Sequence, residues 1–232
     1  MAAPISVVIP TLNAADDLPQ TLSALVEGLG EGLIREVVVS DGGSTDGTRA
    51  VAEAAGAGWV PGPPGRGGQL ARGCAAARGD WLLVVHADTH LEPGWSTAAQ
   101  AALHEPARAH AFRLRFRAAG FGPDWVAGWA NMRSRAFGLP YGDQGLLIAR
   151  TLYHEIGGFP DIPLMEDVAL VRALPSAPRL MAAEARTSFA RYAAEGWVRR
   201  GARNLWTYAR WRAGVSPDRL VGGYAGGASS RN

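Results

Sequence analysis

The first half of the chain alternates short apolar runs with segments of helical periodicity. The run "ISVVIPTL" (Ile5–Leu12) contains Pro10 near its end and has the continuous apolar character of a buried parallel strand. "DDLPQTLSALVEGLG" places leucines at helical spacing, with Asp16 or Asp17 as the expected N-cap. "REVVVSD", "AGWVPG" and "DWLLVVHAD" predict further strands, separated by helices in "STDGTRAVAEAAG" and "GGQLARGCAAARG". This order predicts an α/β fold with a mostly parallel, doubly wound sheet.

The second half of the chain has a different pattern. After a helix in "EPGWSTAAQAALHE", the stretch "AHAFRLRFRA" (Ala109–Ala118) alternates apolar residues with Arg and predicts a half-exposed strand. Another strand closes "YGDQGLLIAR", a helix begins near Glu166, and the Arg- and aromatic-rich C-terminal part predicts further helices. We expect one α/β domain over residues 1–182, with halves of 1–90 and 91–182, followed by a helical segment over residues 183–232.

Composition narrows the class of protein. Of the 232 residues, 47% are hydrophobic and 19% are charged, so a sizeable core is expected. All 23 basic residues are Arg, but the formal net charge of +2 is too small to indicate a nucleic-acid partner. Cys74 is the single cysteine, which excludes an intrachain disulfide and a cysteine-rich zinc site. Without a signal-peptide pattern or an apolar run of about 20 residues, a cytoplasmic protein is expected, either soluble or peripheral at the inner face of the membrane.

Three polar clusters follow predicted strands. They are Thr11–Asn13, Asp41–Thr48 and His86–Thr89. Ligands of open α/β sheets bind beyond the carboxyl ends of the strands, so these clusters are expected to converge. A carboxylate there can accept hydrogen bonds from a base or ribose, or hold a divalent cation. Asp41, at a strand end, fits a ligand role; Asp46 fits a helix cap, and Asp88 fits either role.

Two further motifs carry candidate chemistry. The loop "PGPPGRGGQLARG" (Pro61–Gly73) opens a helix and can present amides and Arg66 to a phosphate, although it lacks the full dinucleotide-binding pattern. An ordinary flexible loop is the alternative. In "LMEDVAL", Glu166 and Asp167 begin a helix. Adjacent carboxylates suit general-base chemistry because one raises the pKa of the other, but first-turn acids also simply complement the helix dipole.

The motifs "VVIPTLN", "VVVSDGGSTDGT", "GRGGQLARGCAAARGDWLLVVHADT" and "GGFPDIPLMEDVAL", in this order, resemble the family 2 glycosyltransferases. The resemblance covers roughly Ile5 to Leu170. It is closest to a small soluble branch with "HAD" at the metal position, "GDQG" before the last core strand and "PLMED" around the acid pair. It implies a GT-A fold, a Rossmann-like mixed sheet, and transfer from a nucleotide-diphosphate sugar with Mn²⁺ or Mg²⁺ and inversion of the anomeric centre.

The resemblance also implies roles for individual residues. Asp167 matches the catalytic base, with Glu166 beside it, and Asp88 matches the last acid of the family's Asp-X-Asp metal motif. His86 departs from that motif, because it stands where the first Asp would be; imidazole can bind Mn²⁺, but carboxylate suits Mg²⁺ and Mn²⁺ better. The residues implied to line or approach the nucleotide are Pro10, Thr11, Asn13, Asp41, Arg66 and Gln69.

Two segments outside these motifs are also assigned. The "YGDQG" turn, with Asp143 and Gln144, is expected to form the acceptor side of the site, or to be only a turn. Arg191 resembles a basic position that folds over the donor diphosphate. The helix beyond Trp197 either packs on the core or docks on an anionic membrane to meet a lipid-linked acceptor.

The sequence therefore predicts a metal-dependent sugar transferase that uses a nucleotide sugar and an acceptor of unknown identity. Two alternatives remain open at this point. One is a sugar-phosphate nucleotidyltransferase, which would also need a metal carboxylate and a Gly/Arg-rich loop. The other is a non-catalytic nucleotide-binding module. The sugar, the base and the oligomeric state are not encoded in these motifs.

Overall fold

A single mixed sheet forms the centre of the protein in the computed structural model. The structure describes residues 3–225, except for the side chains of residues 190, 191, 194, 198 and 222–225. The strands within this part are β1 Ile5–Thr11, β2 Ile34–Asp41, β3 Gly58–Pro61, β4 Trp81–Val84, β5 His90–Leu91, β6 His110–Phe116, β7 Leu146–Ala149 and β8 Arg179–Thr187.

Helices connect and flank these strands. Those in the described residues are α1 Leu18–Ala24, α2 Val26–Gly30, α3 Thr48–Ala54, α4 Arg66–Ala76, α5 Trp95–Ala102, α6 Phe121–Phe137, α7 Arg150–Glu155, α8 Glu166–Ala173, α9 Ala190–Glu195, α10 Trp197–Arg212 and α11 Pro217–Ala225, with a 3-10 turn at Gly142–Gln144. Asp17 occupies the N-cap position of α1, but its side chain makes no capping bond. It accepts a 2.8 Å hydrogen bond from Arg117 instead.

The sheet has the order β3-β2-β1-β4-β7-β6-β8-β5. Its first four strands are parallel, as the repeated strand–helix pattern predicts. β7 then runs antiparallel to both β4 and β6, and β8 pairs parallel to β6. The predicted mixed, mostly parallel α/β sheet is therefore confirmed.

The core lies on both faces of the central strands. Ile5 and Ile9 of β1, Leu83 of β4 and Ile148 of β7 are fully buried, which explains the continuous apolar runs in the sequence. Trp95 is also fully buried, and its indole N–H donates to the carbonyl of Ala24. Burial of this continuous apolar surface supplies the main stabilisation of the fold.

Three elements differ from the sequence-based expectation. The short β5 pairs antiparallel with β8 after the "HAD" corner, and α6 fills a segment for which no helix was expected. β8 occupies Arg179–Thr187, where the C-terminal segment was expected to be helical. Residue 182, the expected domain boundary, lies inside this strand, so the sheet continues past it.

The helices after β8 pack on a second, smaller cluster. Leu114 and Phe116 of β6 contact Val126 and Ala130 of α6 there, and Tyr192 and Trp197 of the C-terminal helices close it. The Tyr192 and Trp197 rings stack with centroids 5.1 Å apart. Part of the C-terminal segment therefore completes the core. Among the described residues, no helix is both long and apolar enough to cross a membrane.

Candidate active site

The carboxyl ends of β1, β2 and β4 meet at one edge of the sheet, because β1 lies between the other two strands and all three run parallel. Thr11 at the end of β1 pairs in register with Asp41 at the end of β2. His86 and Asp88 follow β4, and both are half-buried. The three polar clusters converge as the sequence predicts.

Asp41 is buried in a complete set of hydrogen bonds. Its Oδ1 accepts from the hydroxyls of Thr11 (2.9 Å) and Ser44 (2.5 Å), and its Oδ2 accepts from the amides of Gly43 and Ser44, each at 2.7 Å. Burial opposes the charge, but the hydrogen bonds outweigh it and lower the pKa of Asp41. Its observed role is to shape the loop after β2. A contact with a base or ribose would have to replace one of these bonds.

A second set of hydrogen bonds ties the loop after β1 to the loop after β2. Asn13 adopts a left-handed conformation with φ of 51°, and its Oδ1 accepts from the amide of Thr45 at 2.9 Å. Asp46 accepts from the amides of Ala15 and Thr48, each at 3.0 Å. Asp46 is thus a structural acid just before α3, but it is not the helix cap that was expected, because the N-cap position is Gly47 and no side chain caps the helix. Asn13 remains exposed at the site edge.

Gln69 connects the Gly-rich loop to the strand ends. Its Nε2 donates to the carbonyls of Thr11 (2.7 Å) and Ser40 (3.2 Å), and its Oε1 accepts from the amide of Gly65 at 3.2 Å. Gln69 is 5% exposed, so it supports the Gly-rich loop from inside the protein. Pro10, which pairs with Ser40 in register, is half-buried beside this connection.

The glycines of this loop allow close packing against the segment before the acid pair. A Cβ on Gly67 would lie 2.3 Å from the carbonyl oxygen of Pro160, so no larger residue fits there without movement. α4 begins at Arg66, whose Nε lies 3.6 Å from Oε1 of Glu166. The structure therefore joins the Arg of the Gly-rich loop to the acid pair, although the two motifs are far apart in sequence.

The acid pair opens α8, immediately after Met165, which has a left-handed φ of 68°. Glu166 is 2% exposed, and burial together with the charge of Asp167 raises its pKa to about 7 despite Arg66. Asp167 is half-buried. Its Oδ1 accepts from the amide of Val168 and its Oδ2 from the amide of Gly142, both at 2.7 Å. The two acids thus have different environments, with Asp167 nearer to solvent.

A pocket opens beside Asp167. Its polar side chains include His86, Tyr141 and Glu166. The remaining wall is mainly apolar and is formed by Leu70, Val84, Pro140, Leu146, Phe159 and Val171. A methyl group on Gly142 would lie 2.7 Å from Nε2 of His86, so this imidazole packs directly against the turn that holds Asp167. The Asp167 carboxylate therefore borders a small, mainly apolar pocket.

The "YGDQG" turn forms one wall of this pocket, but its two polar residues differ. Gln144 is fully buried; its Nε2 donates to the carbonyl of Phe112 at 3.1 Å, and its Oε1 accepts from Ser134 at 2.7 Å. The Gln144 amide is therefore used inside the fold, and its expected contact with an acceptor stays a prediction.

Asp143 of the same turn has a carboxylate oxygen that can still accept a hydrogen bond. Its Oδ1 is buried and has no hydrogen-bond partner in the described part of the chain. Burial, opposed by Arg133 and reinforced by the charges of Asp167 and Asp88, raises its pKa to about 6. The Arg133 guanidinium lies 3.5 Å from the centroid of the Tyr141 ring and stiffens this wall.

The residues near Asp88 fit a divalent ion that arrives with a phosphate ligand. Within residues 3–225, no group of three or more His, Cys, Asp or Glu side chains is arranged to hold a metal by itself. Asp88 offers one half-buried carboxylate, and its charge contributes to the raised pKa of Asp143, whose Oδ1 has no hydrogen-bond partner in the described residues. Mg²⁺ is commonly held by one or two carboxylates together with substrate phosphates and water, and Mn²⁺ prefers similar oxygen ligands.

Arg191 and the amide of Gly142 are two further groups whose roles concern the site. Arg191 lies in α9, but its side chain is outside the described residues, so its expected position over a diphosphate stays a prediction. The amide of Gly142 was not identified from sequence as a partner of Asp167. The only available signal was a glycine inside a conspicuous turn, and its pairing depends on two segments meeting in the fold.

A model of "Glycosyl transferase family 2" matches residues 6–158 of the chain. Among curated proteins, glucosyl-3-phosphoglycerate synthase of Mycolicibacterium paratuberculosis is 40% identical over 93 residues, which cover 36% of this chain and 28% of the relative. The same-named enzyme of Mycobacterium tuberculosis strain H37Rv is 37% identical over 93 residues, covering 36% of this chain and 28% of the relative. The alignments thus span less than a third of these relatives' length.

Solved structures share the fold over most of the chain. Glucosyl-3-phosphoglycerate synthase of Mycobacterium tuberculosis, solved with Mn²⁺, uridine diphosphate and glucosyl-3-phosphoglycerate, superposes with a TM-score of 0.57 and 24% identity, covering 80% of this chain and 70% of that one. TarS of S. aureus superposes with a TM-score of 0.62 and 18% identity, covering 80% of this chain and 36% of that one. These likenesses confirm the predicted GT-A fold.

Proposed function

Because the chain belongs to glycosyl transferase family 2, we propose that it is an inverting transferase that moves a sugar from a nucleotide-diphosphate donor to an acceptor hydroxyl. The observation that carries this proposal is the position of Asp167. Its carboxylate borders an open pocket and is held by the amide of Gly142, while Arg66 of the Gly-rich loop contacts the neighbouring Glu166. This arrangement supports a site at which Asp167 accepts a proton and the Gly-rich loop binds phosphate.

In the proposed reaction, Asp167 takes the proton of the acceptor hydroxyl. The hydroxyl oxygen forms a bond to the anomeric carbon, and the bond from that carbon to the diphosphate oxygen breaks on the opposite face. Each oxygen of Asp167 already accepts one hydrogen bond, which fixes the carboxylate and leaves a second lone pair for the proton. Such fixed placement lowers the cost of bringing base and hydroxyl together.

Negative charge grows on the departing nucleoside diphosphate, and cationic groups stabilise it. We assign Arg66 to this task, since it stands at the start of α4 and has a side chain that is 40% exposed. Asp88 would hold Mn²⁺ or Mg²⁺. When bound there, the metal would supply further neutralisation of the diphosphate charge. Arg191, from the sequence resemblance, is proposed as an additional diphosphate contact.

Asp41, Thr11 and Gln69 act mainly by positioning in this proposal. Their mutual hydrogen bonds fix the ends of β1 and β2 and the start of α4, where the nucleoside would lie. Pro10 and Asn13 would border the nucleoside from the loop after β1. Glucosyl-3-phosphoglycerate synthase has been solved with uridine diphosphate and with uridine-diphosphate-glucose, which supports uridine-diphosphate sugars as the first donors to test here.

The acceptor is proposed only as a class, a hydroxyl compound that approaches along the wall formed by Tyr141 to Asp143. We propose a cytoplasmic location, where nucleotide sugars are available. The membrane contact expected for α10 also stays a proposal. Arg200 and Arg203 both pair with Glu195, at 2.9 and 2.8 Å, so neutralising them would disturb the fold rather than test such a contact.

The proposal is tested by a thermal-shift screen of uridine, guanosine and adenosine diphosphates, each with and without Mn²⁺. A ligand at about 100 times its Kd stabilises the native state by roughly 2.7 kcal/mol, which gives a clear rise in Tm. We expect at least one diphosphate to raise Tm more with Mn²⁺ than without it. No shift with any of them would contradict the proposal. Release of pyrophosphate from a triphosphate and a sugar phosphate would instead identify a nucleotidyltransferase.

A further inference from the structure

Helix α6 exposes an apolar stripe to solvent. Phe121 is 87% exposed, Trp125 54%, Trp129 41% and Met132 45%, and Phe137 at the end of the helix is 67% exposed. The first four are spaced by four, four and three residues, which places them on one face of the helix. Large exposed apolar side chains are ordinary when scattered, but a continuous row along one helix indicates a docking surface.

The orientation of this stripe is fixed by the opposite face of α6. Val126, Ala127 and Ala130 are buried against Leu114 and Phe116 of β6. Asn131 pairs with the backbone of Leu114 in both directions, accepting from its amide at 2.8 Å and donating to its carbonyl at 3.0 Å. Rotating the helix to hide its tryptophans would break these contacts. The apolar stripe is therefore a stable feature of the surface.

A strongly basic helix lies next to α6. Gly122 of α6 packs on Trp197, the first residue of α10; a Cβ at Gly122 would lie 3.0 Å from the indole. α10 contains five Arg and no acidic residue, and Trp206 on it is 66% exposed. Arg199 and Arg212 of α10 and Arg135 of α6 are exposed. Both neighbouring helices thus expose aromatic rings, and both expose Arg side chains.

We propose that the α6 stripe docks on an anionic lipid bilayer, with α6 lying in the plane of the interface. Tryptophan suits the boundary between head groups and acyl chains, and basic residues are attracted to anionic lipids. A second copy of the chain fits less well, because a symmetric contact through this face would bring two basic α10 helices together. The 17 residues of α6 span about 25 Å, enough for several side chains to enter the interface at once.

This docking goes beyond glycosyl transfer, but it has a consequence for the site. The chain passes from the end of α6 through residues 138–141 to Gly142, whose amide binds Asp167. The helix that would lie at the bilayer surface therefore ends a few residues before the turn that borders the pocket.

The test is flotation of the full chain with vesicles of phosphatidylcholine alone or with phosphatidylglycerol as about one third of the lipid. We expect binding to the anionic vesicles that weakens with salt. The double change Trp125→Gln and Trp129→Gln should lower the partition coefficient about tenfold or more, because it removes the largest inserted rings. A second pair on the same stripe, Phe121→Gln and Met132→Gln, should also weaken binding. The matched control is Val26→Gln with Leu29→Gln on α2, which are 60% and 51% exposed and lie off the stripe.

All four changed positions on α6 are exposed, so the variants should keep the wild-type Tm. The proposal is supported if both α6 double variants lose binding to anionic vesicles while the α2 control keeps it. It is overturned if the wild type does not bind anionic vesicles at low salt, or if the α6 pairs bind as well as the control. It is also overturned if light scattering shows a wild-type dimer that the α6 pairs dissolve, since a second copy would then cover the stripe.

Discussion

The amide of Gly142 donates a 2.7 Å hydrogen bond to Oδ2 of Asp167, across 25 positions of sequence. This bond connects the acceptor-side turn to the proposed base, while Oδ1 of Asp167 is held by the start of its own helix. The orientation of the carboxylate therefore depends on the turn. Any change that displaces Gly142 is expected to alter catalysis more than donor binding.

Replacing Gly142 by Ala tests this dependence. The new methyl group would lie 2.7 Å from Nε2 of His86 and 3.4 Å from Oδ2 of Asp167, so the turn, the imidazole or both must move. We expect kcat to fall about tenfold or more, since small displacements of a base are costly. The Kd for the nucleoside diphosphate should change little. Gly30→Ala on α2, where a Cβ meets nothing within 4 Å, is the control.

Wild-type kcat in Gly142→Ala, measured with the same donor and acceptor as in the control, would show that the turn does not position Asp167.

Glu166 gives a prediction about stability and pH. Burial first, and the charge of Asp167 second, raise its pKa from 4.5 to about 7. A raised pKa means that the folded state holds this proton more tightly than the unfolded state. The contribution to stability is therefore full below about pH 4.5 and is lost as pH rises through about 7. At one pKa unit per 1.4 kcal/mol, the loss is up to about 3 kcal/mol.

Glu166→Gln should remove this loss. The free energy of unfolding, measured by urea titration at about pH 5 and about pH 8, should fall less with pH in the variant than in the wild type. The exposed Glu31→Gln should follow the wild-type profile. Identical pH dependence in Glu166→Gln and wild type would mean that Glu166 is charged in the folded protein at neutral pH.

The central sheet and the site could be predicted from sequence to different degrees. β4 is uniformly apolar and β1 is mainly apolar because both faces of these strands are covered, and this pattern is visible in the sequence. β8 was missed because "RLMAAEART" is rich in helix-forming residues; only its place between β6 and β5 makes it a strand. α6 gave no amphipathic signal because its outer face is also apolar.

The site shows the same division. Asp88, Glu166 and Asp167 stand in short motifs whose spacing is visible in the sequence. The burial of Gln144 and the hydrogen bonds that surround Asp41 depend on residues 2 to 32 positions away, and on which direction each amide faces. Motif matching therefore identifies which residues gather, whereas the fold decides which of them remain available to a ligand.

Asp88 provides a prediction about metal dependence. Asp88→Ala should weaken nucleoside diphosphate binding in the presence of Mn²⁺ about tenfold or more, and change it little in the presence of a chelator, because the carboxylate would act only through the metal. Asp80→Ala is the matched control, since Asp80 is an exposed acid at the opposite end of β4. Calorimetric titration of each protein gives the two affinities. If Mn²⁺ increases the affinity for the nucleoside diphosphate equally in Asp88→Ala and wild type, Asp88 has only a structural role.

The most direct test of the account is single-turnover transfer by Asp167→Asn, once a donor has been found by the thermal-shift screen. Asparagine keeps the shape and can still accept from the amide of Gly142, but it cannot take a proton. We predict that the transfer rate falls by about three orders of magnitude while the donor Kd stays within about threefold of wild type. A transfer rate near that of the wild type, at unchanged donor affinity, would contradict the assignment of Asp167 as the base.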